Sequence, residues 1–457
     1  MVHSNLRHML RPVGRKRLEH PVNAVAAMLL VVALGAASCG GAGERGLKGK
    51  REVAIAFVGA KTGVSATQGL NFREGARLAI EEENGGGNGD LTVRLREFDT
   101  AGDVTQARSV TSQFIGDQSI VGIVGPAFTG ETNRLIPELQ QAGLVTIGAS
   151  AVDKDLPSAL ASRTVYHRIV GDDDLQSSGI AEYLSSVERP AAVAYVHDGS
   201  DYGKQLAVNT ERKASAKGVR SATIEVIDPK SGDFSAAIAK VRASGADAVF
   251  YGGLAAEAAL LKRKLVEQGA NVRFVSGEAA LDKAFVDSAL SANAEGARLT
   301  CACNFPLESS TGALRDFYNR YKQKTGKDPG LYSAEGYDAT RILIKGIKAG
   351  NEKREALLRF VEDELGRYEG ISKTIEFEPD GTLRSRTFVV YEVRGGRIAT
   401  LRTLTLGEGS ATTSTTGAVS TTSTIRRPPT TRRPTTSTTM PTTTSSTTTP
   451  ITTTSIP

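Results

Sequence analysis

The chain has 457 residues, with 56 Lys and Arg against 50 Asp and Glu, and a formal net charge of +6. The positive excess lies at the two ends: residues 1–38 and 409–457 each carry a balance of +4, which leaves 39–408 at −2. A nucleic-acid-binding domain needs a basic face on its folded part, so this distribution argues against nucleic acid as a partner.

The N-terminal segment has the pattern of an export signal. An apolar run at 24–37, AVAAMLLVVALGAA, follows a basic stretch and is shorter than the roughly 20 residues that span a bilayer. Its end, AASC at 36–39, resembles the bacterial lipobox with Ala36 in place of the usual Leu. We expect a lipoprotein signal peptide at 1–38, lipidation of Cys39 and a linker at 39–50, so that the protein is anchored to the bacterial cell membrane on its extracytoplasmic side. The alternative is an ordinary cleavage site that precedes a cysteine.

Short apolar strands alternate with amphipathic helices between about 51 and 405. Strands are predicted at 53–59, 92–98, 120–124, 144–148, 191–197, 223–227, 246–251, 272–275, 297–303, 373–378 and 387–393, and helices at 68–84, 103–116, 131–142, 203–217, 233–244, 255–269, 282–290, 310–325, 332–350 and 353–366. This alternation predicts parallel sheets covered by helices. The core is too long for one hydrophobic core, so we expect two α/β lobes with a cleft at the carboxyl ends of their strands.

Several strand ends carry groups suited to a small zwitterion. The segment 123–132 runs from a strand into a helix, where backbone amides and the Thr129 hydroxyl suit a carboxylate and Phe128 offers an apolar wall. The next strand ends in small residues, including Ser150 and Ala151. Glu278 follows a later strand and suits an ammonium group. Each feature taken alone is also ordinary loop chemistry.

Motifs for catalysis are missing from the sequence. Three of the five histidines lie in the N-terminal extension, and no HExxH pattern is present. The segment GSDYGKQ at 199–205 is one residue short of a P-loop, and Ser65 and Ser150 lack the GxSxG context of a nucleophile. We therefore expect no enzyme activity, no cofactor and no metal site.

Two further segments complete the chain. Cys301 and Cys303 alternate on a predicted strand and so share one face; a disulfide and a pair of buried thiols are both open alternatives. In the last 48 residues, 30 are Ser or Thr, a composition that cannot form a core, so 408–457 is predicted to be a disordered tail.

The core resembles a known family. The matching stretches are GAKTG at 59–63, GARLAI at 75–80, HDGSDYG at 197–203, SGDFS at 231–235, YGG at 251–253 and FEPDG at 377–381. As a set they make the region 51–395 similar to the leucine/isoleucine/valine-binding proteins, the type I periplasmic solute-binding proteins of branched-chain amino acid ABC importers.

The resemblance implies a domain organisation. Two Rossmann-like lobes would be joined by a three-crossing hinge, with crossings near 170–173, 301–304 and 366–372. The N-terminal lobe would then comprise 51–170 and 304–366, and the C-terminal lobe 171–303 and 367–407.

The resemblance also implies roles for individual residues. The hydroxyl that binds the amino acid carboxylate falls on Thr129, the strand-end backbone groups on Ser150 and Ala151, the ammonium-binding glutamate on Glu278 and a cleft tyrosine on Tyr202. Two positions depart from the family pattern, since a ligand-holding threonine is replaced by Val152 and a covering aromatic residue by Leu254.

These observations lead to one main hypothesis and two rivals. The main hypothesis is a solute-binding lipoprotein that captures an amino acid, or a related small solute, by closure of two lobes and delivers it to a permease driven by a separate ATPase. A sensory or surface receptor with the same fold is the first rival, favoured by the Thr-rich tail. Binding of amides, urea or aromatic acids is the second.

Overall fold

The computed structural model describes residues 51–86, 90–149, 151, 164–407 and 411–414. The first half of the N-terminal lobe is a parallel sheet in the order β2-β1-β3-β4-β5. Its elements are β1 (Arg51–Gly59), α1 (Ala66–Gly85), β2 (Leu91–Asp99), α2 (Val104–Gly116), β3 (Ile120–Val124), α3 (Thr129–Gln141), β4 (Val145–Gly148) and β5 (Tyr166–Arg168). β1 and β3 are apolar and almost wholly buried, as expected for central strands covered on both faces.

The C-terminal lobe contains a second, mostly parallel sheet. Its elements are α4 (Asp173–Glu182), β6 (Val193–His197), α5 (Asp201–Ala216), β7 (Ser221–Val226), α6 (Ser235–Ala243), β8 (Ala248–Gly252), α7 (Ala255–Glu267), β9 (Arg273–Ser276), α8 (Lys283–Ser288), α9 (Ser291–Ala294) and β10 (Arg298–Cys301). β7, β6, β8, β9 and β10 pair in parallel in that order. The prediction of two α/β lobes is confirmed.

The chain then returns to the N-terminal lobe with α10 (Gly312–Thr325), α11 (Ser333–Lys348) and α12 (Arg354–Arg359). α11 packs directly on α1, and glycine makes this approach possible. A side-chain carbon at Gly75 would lie 1.9 Å from the Ser333 carbonyl oxygen, and one at Gly336 would lie 2.2 Å from the Phe72 carbonyl oxygen. The glycine of the GAR sequence in α1 is therefore explained by packing between the two helices.

The third crossing lies later than the sequence predicts. β11 (Tyr368–Glu369) and β12 (Thr374–Ile375) form a small antiparallel pair, where a longer strand at 373–378 is expected from the sequence. The Gly381 carbonyl accepts a hydrogen bond from Arg168 of β5, and the Phe377 ring packs on His167. Residues up to 381 thus contact the N-terminal lobe, and the crossing falls after them rather than at 366–372.

The C-terminal lobe is completed by three antiparallel strands. β13 (Thr387–Arg394) pairs with β10, β14 (Arg397–Leu406) pairs with β13, and β15 (Ala411–Ser414) pairs with β14. β14 is missing from the sequence prediction, and β15 lies within the segment predicted to be disordered from 408. The signal peptide, Cys39 and the tail beyond 414 lie outside the described residues. Within the part that is described, no helix has the length and apolarity needed to cross a membrane.

Candidate ligand-binding site

A cavity of about 410 Å³ lies between the two lobes. The starts of α1 and α3 line it from the N-terminal lobe, and the starts of α4, α5 and α7 and the turn after β9 line it from the C-terminal lobe. Ligand sites are common at such strand-to-helix junctions. Among the predicted site residues, the cavity is lined by Phe128, Thr129, Tyr202, Leu254 and Glu278.

The two strand-end predictions have a different outcome. Ala151 is fully buried and packs with Ile136 and Tyr166. Its carbonyl oxygen accepts a hydrogen bond from the Tyr166 hydroxyl at 3.4 Å, and it is not among the residues that line the cavity. The structure therefore does not bring Ala151 to the cavity wall. Ser150 and Val152 lie outside the described residues.

The start of α3 is held by a buried glutamate. Oε1 of Glu131 accepts hydrogen bonds from the backbone N–H groups of Ala127 at 2.7 Å and Phe128 at 2.9 Å. Two amides that the sequence offers to a ligand carboxylate are thus occupied by the protein itself. Burial raises the pKa of Glu131 to about 7, against the effect of its hydrogen bonds. The helix begins at Thr129, and Thr129 and Gly130 line the cavity at this helix start.

Glu278 forms the opposite wall. It lies in a short 3-10 turn directly after β9, and its side chain is only 1% exposed. Oε1 of Glu278 accepts a hydrogen bond at 2.8 Å from the hydroxyl of Tyr332, which precedes α11 in the other lobe. Burial raises the pKa of Glu278 to about 7, Glu335 acts in the same direction, and the Tyr332 hydrogen bond and the Lys373 charge act against it.

Tyr202 connects two walls of the C-terminal lobe. Its hydroxyl donates to Oε1 of Gln176 at 3.3 Å and accepts from the backbone N–H of Ala279 at 3.4 Å. The side chain thus fixes the turn that carries Glu278. Burial raises the pKa of Tyr202 well above its ordinary value, with the Glu278 charge acting in the same direction, so it stays a neutral hydroxyl.

Negative groups dominate the lining. Four acidic residues line the cavity, and none of the described lining residues is Lys, Arg or His; the four are Asp173, Asp198, Asp201 and Glu278. Asp198 is committed to its own loop, because its Oδ1 accepts hydrogen bonds from the Ser200 amide at 3.0 Å and the Ser200 hydroxyl at 2.5 Å. The cavity therefore suits a ligand that carries at least one positive charge.

The hinge lies directly behind Glu278. Cys301 and Cys303, at the second crossing, form a disulfide, which settles the alternative left open by the sequence. Glu278 and the two sulfurs lie within 4.8 Å of one another, but sulfurs bonded to each other are not the thiolates that a metal binds. A buried ion pair lies nearby, with Lys373 Nζ 3.2 Å from Glu335 Oε1 and 3.0 Å from the Ile169 carbonyl oxygen.

Several lining residues were not predicted from the sequence, among them Gln68, Asn133, Asp173 and Tyr332. The GDDDL pattern at 171–175 is a helix-start signal, because the Asp172 side chain caps α4 through the Leu175 amide. This pattern alone predicts that Asp173 lies at the start of a helix. For Tyr332 the sequence holds no comparable signal, because its position depends on how the two lobes meet.

Comparisons with known proteins agree with this architecture. The family model for the periplasmic binding protein matches residues 52–397. The leucine-, isoleucine-, valine-, threonine-, and alanine-binding protein of Pseudomonas aeruginosa is 27% identical over 343 residues, which cover 74% of this chain and 89% of that protein. Residues of this chain outside the match include the N-terminal extension and the whole of the Thr-rich tail.

Solved structures show the same fold. The branched-chain amino acid transporter substrate-binding protein LivJ from Streptococcus pneumoniae, in complex with isoleucine, superposes with a TM-score of 0.69 at 21% identity and covers 80% of this chain and 100% of that one. A solute-binding protein from R. palustris in complex with 4-hydroxybenzoate superposes with a TM-score of 0.67 at 17% identity, with 77% and 96% coverage. The expected type I periplasmic binding protein fold is therefore confirmed, and the chain belongs to the periplasmic binding protein family.

Proposed function

We propose that the protein is the extracytoplasmic receptor of an ABC importer and captures an α-amino acid, with the branched-chain class as the first to test. The carrying observation is that Glu278 and the start of α3 lie on opposite walls of one interlobe cavity. In this proposal Thr129 and the first-turn amides of α3 bind the carboxylate, Glu278 binds the ammonium group, and Phe128 and Leu254 contact the side chain.

Lobe closure follows from this arrangement. A ligand bound to α3 alone contacts one lobe, whereas a ligand that also reaches Glu278 contacts both. Because the second set of contacts forms only in the closed arrangement, the ligand favours closure by the difference in its affinity for the two states. We propose that this closed form is delivered to the permease. A separate ATPase subunit supplies the energy.

The charge of the lining favours an amino acid over the ligands of the second rival. An aromatic acid or another anion would be repelled by Asp173 and Asp201, and urea has no ammonium group for Glu278.

Membrane anchoring through Cys39 belongs to the same proposal. Cys39→Ala is expected to move the protein from the membrane fraction to the soluble fraction, and retention in the membrane fraction would contradict lipidation.

The excess of carboxyl groups favours a second candidate, an amino acid with a cationic side chain. Asp173 and Asp201 lie on the C-terminal-lobe wall in addition to Glu278 and offer a negative surface for a second positive group. The two candidates share the α-amino and α-carboxylate contacts and differ only in the side-chain end.

Thermal unfolding of the purified protein against a ligand panel tests both candidates. The panel contains leucine, isoleucine, valine, lysine, arginine, acetamide, urea and 4-hydroxybenzoate. A ligand at about 100 times its Kd adds about 2.7 kcal/mol of stability. Stabilisation by an α-amino acid that disappears in Glu278→Gln supports the proposal, and the side chain of that amino acid decides between the candidates. Stabilisation by 4-hydroxybenzoate alone would overturn both.

A further inference from the structure

The hinge disulfide is in direct contact with the proposed ammonium-binding residue. Cys301 ends β10, and Cys303 lies two residues further into the second crossing; the two side chains are 0% and 3% exposed. The Cys301 Sγ atom lies 3.3 Å from Oε2 of Glu278, while Oε1 accepts the Tyr332 hydroxyl. The backbone N–H of Ala302, between the two cysteines, also hydrogen-bonds the carboxyl group. The segment 301–303 thus forms one side of the Glu278 environment.

The oxidation state of this segment changes what it offers to Glu278. A disulfide sulfur carries no hydrogen and presents only lone pairs to Oε2. A Cys301 thiol in the same place is a hydrogen-bond donor, and a donor to a carboxylate favours its ionised form. The thiol stays protonated, because burial beside a carboxyl group disfavours the thiolate.

We propose that Cys301 and Cys303 form a thiol–disulfide site whose reduction strengthens ammonium binding by Glu278, with a dithiol as the reductant. The reaction is balanced: the dithiol forms its own disulfide and loses two electrons and two protons, and the Cys301–Cys303 bond breaks to give two thiols. The effect on ligand affinity rests on the proposed function, whereas the effect on Glu278 ionisation does not.

The pH window follows from the groups around Glu278. Tyr332 and Tyr202 face it as neutral hydroxyls, Glu335 opposes its ionisation and Lys373 favours it. With the disulfide intact, the pKa of Glu278 lies at about 7. A thiol donor lowers that pKa, so the oxidised and reduced forms differ in Glu278 charge below about pH 7 and become alike well above it.

Two single variants separate the effect of the Cys301 thiol donor from the effect of losing the disulfide bond. Cys303→Ala leaves the Cys301 thiol beside Glu278, and Cys301→Ala leaves only the Cys303 thiol. Both variants lack the disulfide, so any loosening of the hinge is common to them. The pKa of Glu278 is measured by NMR on protein labelled with 13C at the glutamate carboxyl group, and the signal is assigned by its loss in Glu278→Gln.

We expect a Glu278 pKa about one unit lower in Cys303→Ala than in the oxidised wild type, and no such fall in Cys301→Ala. Wild type reduced with a phosphine should match Cys303→Ala. Equal pKa values in the two variants, or a reduced wild type that matches the oxidised one, would overturn the proposal.

Ligand binding provides the second measurement. Titration with the amino acid found in the unfolding panel should give an affinity about fivefold higher for Cys303→Ala than for Cys301→Ala at pH 6, and values within about twofold at pH 8.5. An affinity difference that is unchanged at pH 8.5 would contradict the mechanism through Glu278 charge. If no amino acid binds, the proposed function fails, while the NMR measurement still decides the redox effect on Glu278.

Discussion

Two buried glutamates from different lobes invite comparison, because Glu131 holds the helix start behind the cavity wall whereas Glu278 lines the cavity itself. Glu131 and Glu278 are both 1% exposed, and burial raises the pKa of each to about 7. Glu131 has two backbone N–H donors from its own helix start. Glu278 has a side-chain donor from the opposite lobe and lines the cavity.

The difference shows that burial and a raised pKa do not identify a ligand-binding residue. Both properties arise from desolvation, which acts equally on structural and functional carboxyl groups. The partners are the informative part. Backbone donors within four residues hold local structure together, whereas a partner from the other lobe is lost when the lobes separate. Of these two glutamates, Glu278 is the one with a partner whose contact depends on how the lobes are arranged.

The largest expected effect is on ligand affinity, which Glu278→Gln should lower much more than Glu131→Gln. Glu278→Gln removes the negative partner of the ammonium group, and truncating one member of a buried charge pair costs about 2–5 kcal/mol of affinity. Glu131→Gln keeps an oxygen acceptor for the Ala127 and Phe128 amides and is the matched control. Isothermal titration with the amino acid from the unfolding panel provides the measurement.

Retention of near-wild-type affinity in Glu278→Gln would remove this residue from the site. Loss of affinity in both variants to the same extent would show that the start of α3 and the Glu278 wall act as one unit, and the contrast drawn between them would fail.

Glu131 is expected to change how the free energy of unfolding depends on pH, with an effect of similar or smaller size. Its pKa is about 7 in the fold and 4.5 as the ordinary value, so its contribution to stability is complete below pH 4.5 and is lost as the pH rises through 7. A difference of this size corresponds to about 3 kcal/mol. Glu131→Gln cannot ionise, so its free energy of unfolding should decline less steeply between pH 4.5 and 8.

Urea unfolding at several pH values measures this slope. Two other buried carboxyl groups have raised pKa values, Glu278 at about 7 and Asp338 at about 6. Both remain in both proteins and contribute equally to the two pH profiles. Parallel pH profiles for wild type and Glu131→Gln would show that Glu131 keeps its ordinary pKa in the fold, and would contradict the shift caused by burial.

The sequence predicts most of the fold because its signals are local. The apolar runs of β1 and β3 and the glycines that close helices are visible within single segments. Strands without such a run were missed, among them β5, which is three residues long, and β14, which is half-buried and intersperses Arg and Thr with apolar residues.

The candidate site is only partly predictable, because its remaining features depend on contacts between lobes. Thr129 and Glu278 follow strands and could be placed at strand ends. That Glu131 occupies two of the amides next to Thr129 required the geometry of the turn, although its position three residues after Phe128 is a capping signal. The Tyr332 contact joins residues 54 positions apart and has no local signature.

The smallest expected effect tests the cross-lobe partner itself. Tyr332→Phe removes the hydroxyl that donates to Glu278 while it keeps the ring, and a single hydrogen bond of this kind contributes about 0.5–1.5 kcal/mol. Loss of the donor raises the pKa of Glu278 further, so ligand affinity at pH 6 should fall several-fold and recover in part at pH 8.5, where Glu278 is ionised in both proteins. Titration at the two pH values makes the comparison. A pH-independent loss would assign Tyr332 a direct contact with the ligand, and a gain in affinity would show that its hydroxyl competes with the ligand's ammonium group for Glu278.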